Sequence, residues 1–171
     1  EYKKKFCFPI QDYWKKLGFK LNESQFNKMN SMFIRLYKTR MKEPPLQDGI
    51  LNILLQLSAQ NIKQFVLSAS EHTILNEMVR FYNLSNCFED VVGVDNLNAN
   101  GKKIIGNYLF KKHNLNPHET IIVGDTEYDL RVANNLGCGC VLLSCGHFNR
   151  SRLLAVHGSV VENVQGVLKF L

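Results

Sequence analysis

The chain has 171 residues and a mass of 19.7 kDa, enough for one ordinary domain, with or without a small insertion, and enough to bury a core without staples. Hydrophobic residues make up 45% and charged residues 21%, which excludes a disordered chain. No apolar run approaches the roughly 18 residues of a membrane span, the basic start has no apolar secretory core behind it, and the absence of an initiator methionine reads as a start partway into a longer chain.

The net charge of +6 is unevenly placed: residues 1–43 hold 11 Lys/Arg against 4 Asp/Glu, and residues 44–171 hold 10 against 11. The basic first quarter fits a solvated helical face, a nucleic-acid contact or a lid that attracts anionic small molecules. Cys7, Cys87, Cys138, Cys140 and Cys145 are odd in number and include no Cys-x-x-Cys pair, which reads as reduced thiols in a cytoplasmic protein.

Residues 1–43 read as helical. Asn22 caps a helix with Gln25 in the capping-box position, and Phe26, Met29, Phe33, Leu36 and Tyr37 form one apolar stripe, expected to pack. Pro44-Pro45 stops the helix and marks a domain boundary. The pattern then alternates. A helical run over 46–57 precedes a strand over 63–67, a helix over 71–82, a strand over 91–94, a helix over 102–113 and a strand over 120–123. A helix over 128–136, a strand over 140–143, and a closing helix, strand and helix over 151–157, 159–161 and 163–171 complete the chain. Strands alternating with helices predict a parallel sheet covered on both faces.

Ligands bind such sheets at the carboxyl ends of the strands. The residues there are Ser68-Ala69-Ser70, Asp95-Asn96, Gly124-Asp125-Thr126 and Ser144-Cys145-Gly146-His147. Asp125 and Asp129, four apart across a strand-to-helix turn, can share one cation, and oxygen ligands in an open, hydrated site suit Mg²⁺. The same residues can instead serve the helix, Asp125 as its cap and Asp129 as favourable charge in its first turn. Ser68 can help hold an anion with the following N–H groups, or Ser68 or Ser70 can cap a helix. Lys102, with Lys103 as competitor, opens a helix against its dipole and calls for a bound phosphate or a nearby carboxylate. His113 and His147 read as structural, and Arg131 as solvent-facing.

In this order the three features resemble the haloacid-dehalogenase-like (HAD) hydrolase superfamily, most closely its small phosphatases of the phosphoglycolate-phosphatase type. Val66–Ser70 looks like the second motif, Gly101-Lys102 like the third, and Ile122–Gly137 like the fourth over its full length. The resemblance implies an α/β, Rossmann-like parallel sheet over 44–171, with 1–43 as part of a small helical cap. It further implies an Mg²⁺-dependent phosphomonoester hydrolase acting through a phospho-aspartate on a small phosphorylated metabolite; the residues themselves, with no basic-aromatic platform on the core and no long apolar run, predict neither a nucleic-acid nor a membrane partner. In that reading Ser68 and the Ala69 N–H hold phosphate oxygens, Lys102 neutralises the phosphate and the nucleophile, and Asp125 and Asp129 hold the metal.

The superfamily's first motif, an apolar strand ending Asp-x-Asp that carries the nucleophile, is absent from these 171 residues. In the family that strand lies between the strands here placed at 63–67 and 120–123. Leaving it out strands several backbone groups at about 1–3 kcal/mol each, against a total stability of about 5–15 kcal/mol. The sequence therefore predicts an upstream segment of roughly 15–25 residues that supplies it. A degenerate strand at residues 3–8, in a non-catalytic binding protein, is the alternative.

Overall fold

A computed structural model describes residues 1–94 and 101–171, which form two compact units, Glu1–Leu46 and Gln47–Leu171. Asp95-Asn96 and the Asn98–Asn100 approach to Lys102 lie outside the described residues.

The first unit is helical, with α1 over Tyr2–Lys5, α2 over Ile10–Lys16 and α3 over Glu23–Arg40. Residues 3–8 are therefore not a degenerate strand: Lys4, Lys5 and Phe6 close backbone hydrogen bonds to Glu1 and Tyr2 in a helical turn. Phe6 is buried, with Tyr2, Phe8 and Tyr13 ringing it at centroid distances of 5.1 Å each. The foreseen capping box opens α3: Asn22 Oδ1 accepts the Gln25 N–H at 2.9 Å and Gln25 Oε1 accepts the Asn22 N–H at 3.0 Å. The α3 stripe, expected to pack, buries nothing fully. Phe33 and Leu36 are 52% and 58% exposed.

The second unit opens with α4 over Ile50–Ala59, entered through Gly49 at φ +78°. It continues through β1 (Phe65–Glu71), α5 (His72–Phe81), β2 (Asp90–Val94), α6 (Gly101–His113), β3 (Ile121–Gly124), α7 (Glu127–Leu136), β4 (Gly139–Leu143), α8 (Arg150–Leu154) and β5 (Val160–Val161). A 3₁₀ segment over Val164–Phe170 replaces the expected last helix. The α/β alternation and the parallel pairing agree with the sequence reading. α7 stops where Gly137 turns left-handed at φ +72°, a conformation that favours glycine.

The strands form two sheets, β1-β2 and β3-β4-β5, parallel throughout. Among the described residues, β1 pairs with no strand but β2, and the free side of β3 pairs with none. Val123, in the body of β3, is 43% exposed. One helix layer serves both sheets: α6 packs on β1, β2 and α7, and α7 packs on β3 and β4. Gly106 of α6 lies at the join, where a Cβ would lie 3.1 Å from Leu136 and 3.5 Å from Leu67. On another side of β3-β4-β5, Ile53 of α4 packs into a core with Val141, Val164 and Val167.

α6 is tied down at both ends. In its last turn Lys112 Nζ and His113 Nε2 each donate to Asp90 Oδ2 at 2.8 Å, at the amino end of β2. In its first turn Lys102 reaches Asp129.

Candidate active site

The β3–α7 turn is built around one carboxylate. Gly124 ends the strand, and a Cβ there would lie 2.3 Å from Asp129 Cγ, so only glycine lets the two elements approach. Asp129 Oδ2 accepts from Asp125 N–H at 3.1 Å, Thr126 N–H at 3.0 Å and Thr126 Oγ1–H at 2.8 Å, and Asp129 Oδ1 takes Lys102 Nζ. Thr126, not Asp125, is the N-cap of α7, with Asp129 closing a capping box. Asp129 is only 4% exposed, and both of its oxygens are engaged. Burial pushes its carboxyl up, but Lys102 and the Thr126 and Asp125 donors outweigh burial and hold it below the ordinary carboxylate range.

Lys102 is the second residue of α6, as the sequence places it, and Asp129 supplies the compensating carboxylate that its position calls for. The side chains of the pair are 14% and 5% exposed.

Asp125 is half-buried and differs from Asp129. Its Oδ2 accepts the backbone N–H of His147 at 2.6 Å, a bond made possible because Gly146 has no side chain: a Cβ there would sit 2.0 Å from Asp125 Oδ2. The contact brings the loop after β4 onto the turn after β3. The sequence singled out Ser144–His147 as a strand end and, with Phe148 and Arg152-Leu153, as like the family's tail, without this contact, whose signal is Gly146 next to a strand-end carboxylate in a parallel sheet.

The strand end around Ser68 and Ala69 differs from expectation. The strand does not end at Leu67 and no cap forms at Ser68 or Ser70. β1 runs on to Glu71, which precedes α5 without a side-chain cap. Leu67 pairs with Val92 and Glu71 with Val94, so residues 68–70 bulge out of register. Ser68 Oγ accepts the Ser70 N–H at 3.1 Å, and Ala69 is exposed at the crest.

Other groups fall outside this constellation. Burial first, with Asp129 adding, pushes the Cys140 thiol up to about 12, so it stays protonated and is no nucleophile. His113 belongs to the Asp90 cluster, and Arg131 is exposed with its guanidinium 5.4 Å from the Tyr128 ring centre. Among the described residues no three His, Cys, Asp or Glu side chains converge as a metal cage.

A parallel α/β core with a lysine–carboxylate pair and a second carboxylate at its strand ends defines the class. Residues 1–143 match the family model of the haloacid dehalogenase-like hydrolases, and the chain belongs to that family. It is 25% identical over 136 residues to a phosphoglycolate phosphatase of Vibrio cholerae, an alignment that takes in 78% of this chain and 57% of that protein. A phosphoglycolate phosphatase of Vibrio vulnificus is 31% identical over 72 residues, 42% of this chain and 32% of that protein. The chain thus spans little more than half the length of the first relative and about a third of the second. In fold it resembles a haloacid dehalogenase-like hydrolase from Streptococcus pneumoniae, with a TM-score of 0.81 at 20% identity over 91% of this chain and 74% of that one. It also resembles a predicted phosphoglycolate phosphatase from Haemophilus somnus, with a TM-score of 0.76 at 20% identity over 94% and 74%. Among the described residues no helix is long and apolar enough to cross a membrane.

Proposed function

We propose that the chain is the larger part of an Mg²⁺-dependent phosphomonoester hydrolase acting through a phospho-aspartate on a small phosphorylated metabolite. The observation that carries the reading is the pair of strand edges, on β1 and β3, that pair with no strand among the described residues, with the Ser68 bulge, Lys102 and Asp125 at their carboxyl ends. A parallel strand paired to both edges would satisfy their backbone groups and deliver a carboxylate beside Lys102.

Family membership and the Vibrio relatives support phosphoryl chemistry. The nucleophilic aspartate would attack phosphorus, the alcohol would leave with a proton from a general acid, and water would then hydrolyse the acyl phosphate. Ser68 and the Ala69 N–H would take phosphate oxygens, a role that suits a bulge outside the ladder. Lys102 would turn part of its charge from Asp129 to the phosphate.

The donor set fits Mg²⁺, which takes one or two carboxylates and fills its remaining positions with water and phosphate. Asp125 would hold it, one oxygen being set by the His147 N–H. Asp129, both oxygens engaged, would act through water. The metal would supply charge neutralisation at the phosphate.

The test is hydrolysis of a generic aryl phosphate by the full-length protein, with and without EDTA. EDTA-sensitive turnover lost in Asp125→Asn is expected, and metal-independent turnover overturns the reading. One observation favours a second reading, a non-catalytic binder of phosphorylated ligands or of a protein partner: these 171 residues hold no Asp-x-Asp. Finding that motif encoded immediately before Glu1 removes it.

A further inference from the structure

The loop from Ser144 to Asn149 leaves β4, crosses Asp125 and enters α8. Its start is fixed by the Ser144 N–H, which donates to the Val161 carbonyl at 2.9 Å. Its end is fixed by Asn149 Oδ1, which accepts the Arg152 N–H at 2.9 Å. Between them Phe148 is 2% exposed, and the Arg152 guanidinium lies 3.4 Å from its ring centre. Arg152 Nε also donates to Glu127 Oε1 at 3.0 Å. Glu127 is the first residue of α7, two positions from both Asp125 and Asp129.

None of the roles given above uses Glu127, Phe148 or Arg152. We infer that Arg152 is a positioning residue for Asp125. It covers Phe148 with one face of the guanidinium and joins Glu127 through its edge, and so presses residues 146–147 onto the Asp125 carboxylate. A planar guanidinium can stack and hydrogen-bond at once, which an ammonium cannot. The tolerance is small. Gly146 leaves no room for a side chain, and a loop shift of about an ångström would carry the 2.6 Å His147–Asp125 bond beyond hydrogen-bonding range. With Oδ2 held by the loop, Oδ1 is the oxygen Asp125 presents to a cation. The inference rests on the reading of Asp125 as a metal carboxylate.

The experiment uses the full chain and the variants Arg152→Met, Arg152→Lys and Asp125→Asn. It measures amide hydrogen exchange segment by segment and Mg²⁺ binding by calorimetry. Arg152→Met is expected to speed exchange over residues 144–148 about tenfold while the α6 amides keep their rates. It is also expected to weaken Mg²⁺ binding about tenfold, the scale on which outer partners of a metal ligand act. Arg152→Lys should recover only part of either effect. Unchanged exchange over 144–148, or an equal rise over α6, overturns the inference. So does parental Mg²⁺ affinity in an Arg152→Met protein whose loop has been freed. If the parent takes up Mg²⁺ no better than Asp125→Asn, the metal reading of Asp125 fails instead, and the exchange pattern alone decides whether Arg152 holds the loop.

Discussion

β1 and β3, each of which has one side paired with no strand among the described residues, finish in opposite ways. β3 runs into a turn in which Gly124 gives room to Asp129, and Asp129, buried with Thr126, is hydrogen-bonded to Thr126 and Lys102 before any ligand arrives. β1 leaves its ladder with a three-residue bulge, an exposed Ala69 and a single local bond from the Ser70 N–H to Ser68. One rim is part of the fold's own stability, and the other is left open to solvent. Substitutions should therefore separate cleanly between them.

The largest effect belongs to Asp129→Ala. It leaves Lys102 without its carboxylate and three donors without their acceptor at a buried position. Breaking a buried pair this way costs about 3–5 kcal/mol, read as a drop in the urea midpoint. Lys102→Met should cost less, because Asp129 keeps its Thr126 and Asp125 donors.

Gly146→Val tests the same rim from the neighbouring loop. Its Cβ would start 2.0 Å from Asp125 Oδ2, so the loop must lift and the His147 bond must break. Overpacking of this kind costs about 1–3 kcal/mol. The expected signature is a lower melting temperature with faster exchange at the His147 amide.

Asp90→Asn, at the amino end of β2, is a control remote from both rims. Burial pushes the Asp90 carboxyl up, and bonds from Lys112 and His113 more than offset this, so its folded value lies below the ordinary one. A depressed carboxyl stabilises the fold fully above the unfolded value of about 3.9, and that contribution fades as pH falls through the folded value. Asp90→Asn should cost about 1 kcal/mol at neutral pH and flatten the fall in stability below about pH 4. An unchanged acid limb in urea titrations at several pH values would show that Asp90 does not contribute.

Ser68→Ala should be the mildest, within about 0.5 kcal/mol, because the bond removed is local and the site is on the β1 rim. A loss as large as that of Asp129→Ala would erase the contrast between the rims.

The same contrast decided what could be read from residues alone. The β3 turn was legible because its determinants are contiguous: an apolar strand, a glycine for close approach, and carboxylates at fixed spacing before a helix. Even there, the cap fell to Thr126 and not Asp125, since the N-cap is set by where the first helical turn closes. The β1 bulge was not legible, because a strand's end is fixed by its partner's register with Val92 and Val94, and not by its own composition. The His147 contact joins residues 22 positions apart through a backbone donor, and its one trace in the sequence is the missing side chain at Gly146. In α3 the periodicity described a face able to pack, and Phe33 and Leu36 remain half-exposed because period says nothing about what lies opposite.

Asp129 carries one last consequence, for how genetic data on this protein are read. A carboxylate with both oxygens hydrogen-bonded within the fold will register as indispensable in any survival or abundance screen. It would do so even if the protein never turned over a molecule. Only a readout taken on correctly folded material, at equal concentration, can separate scaffolding from chemistry at that position.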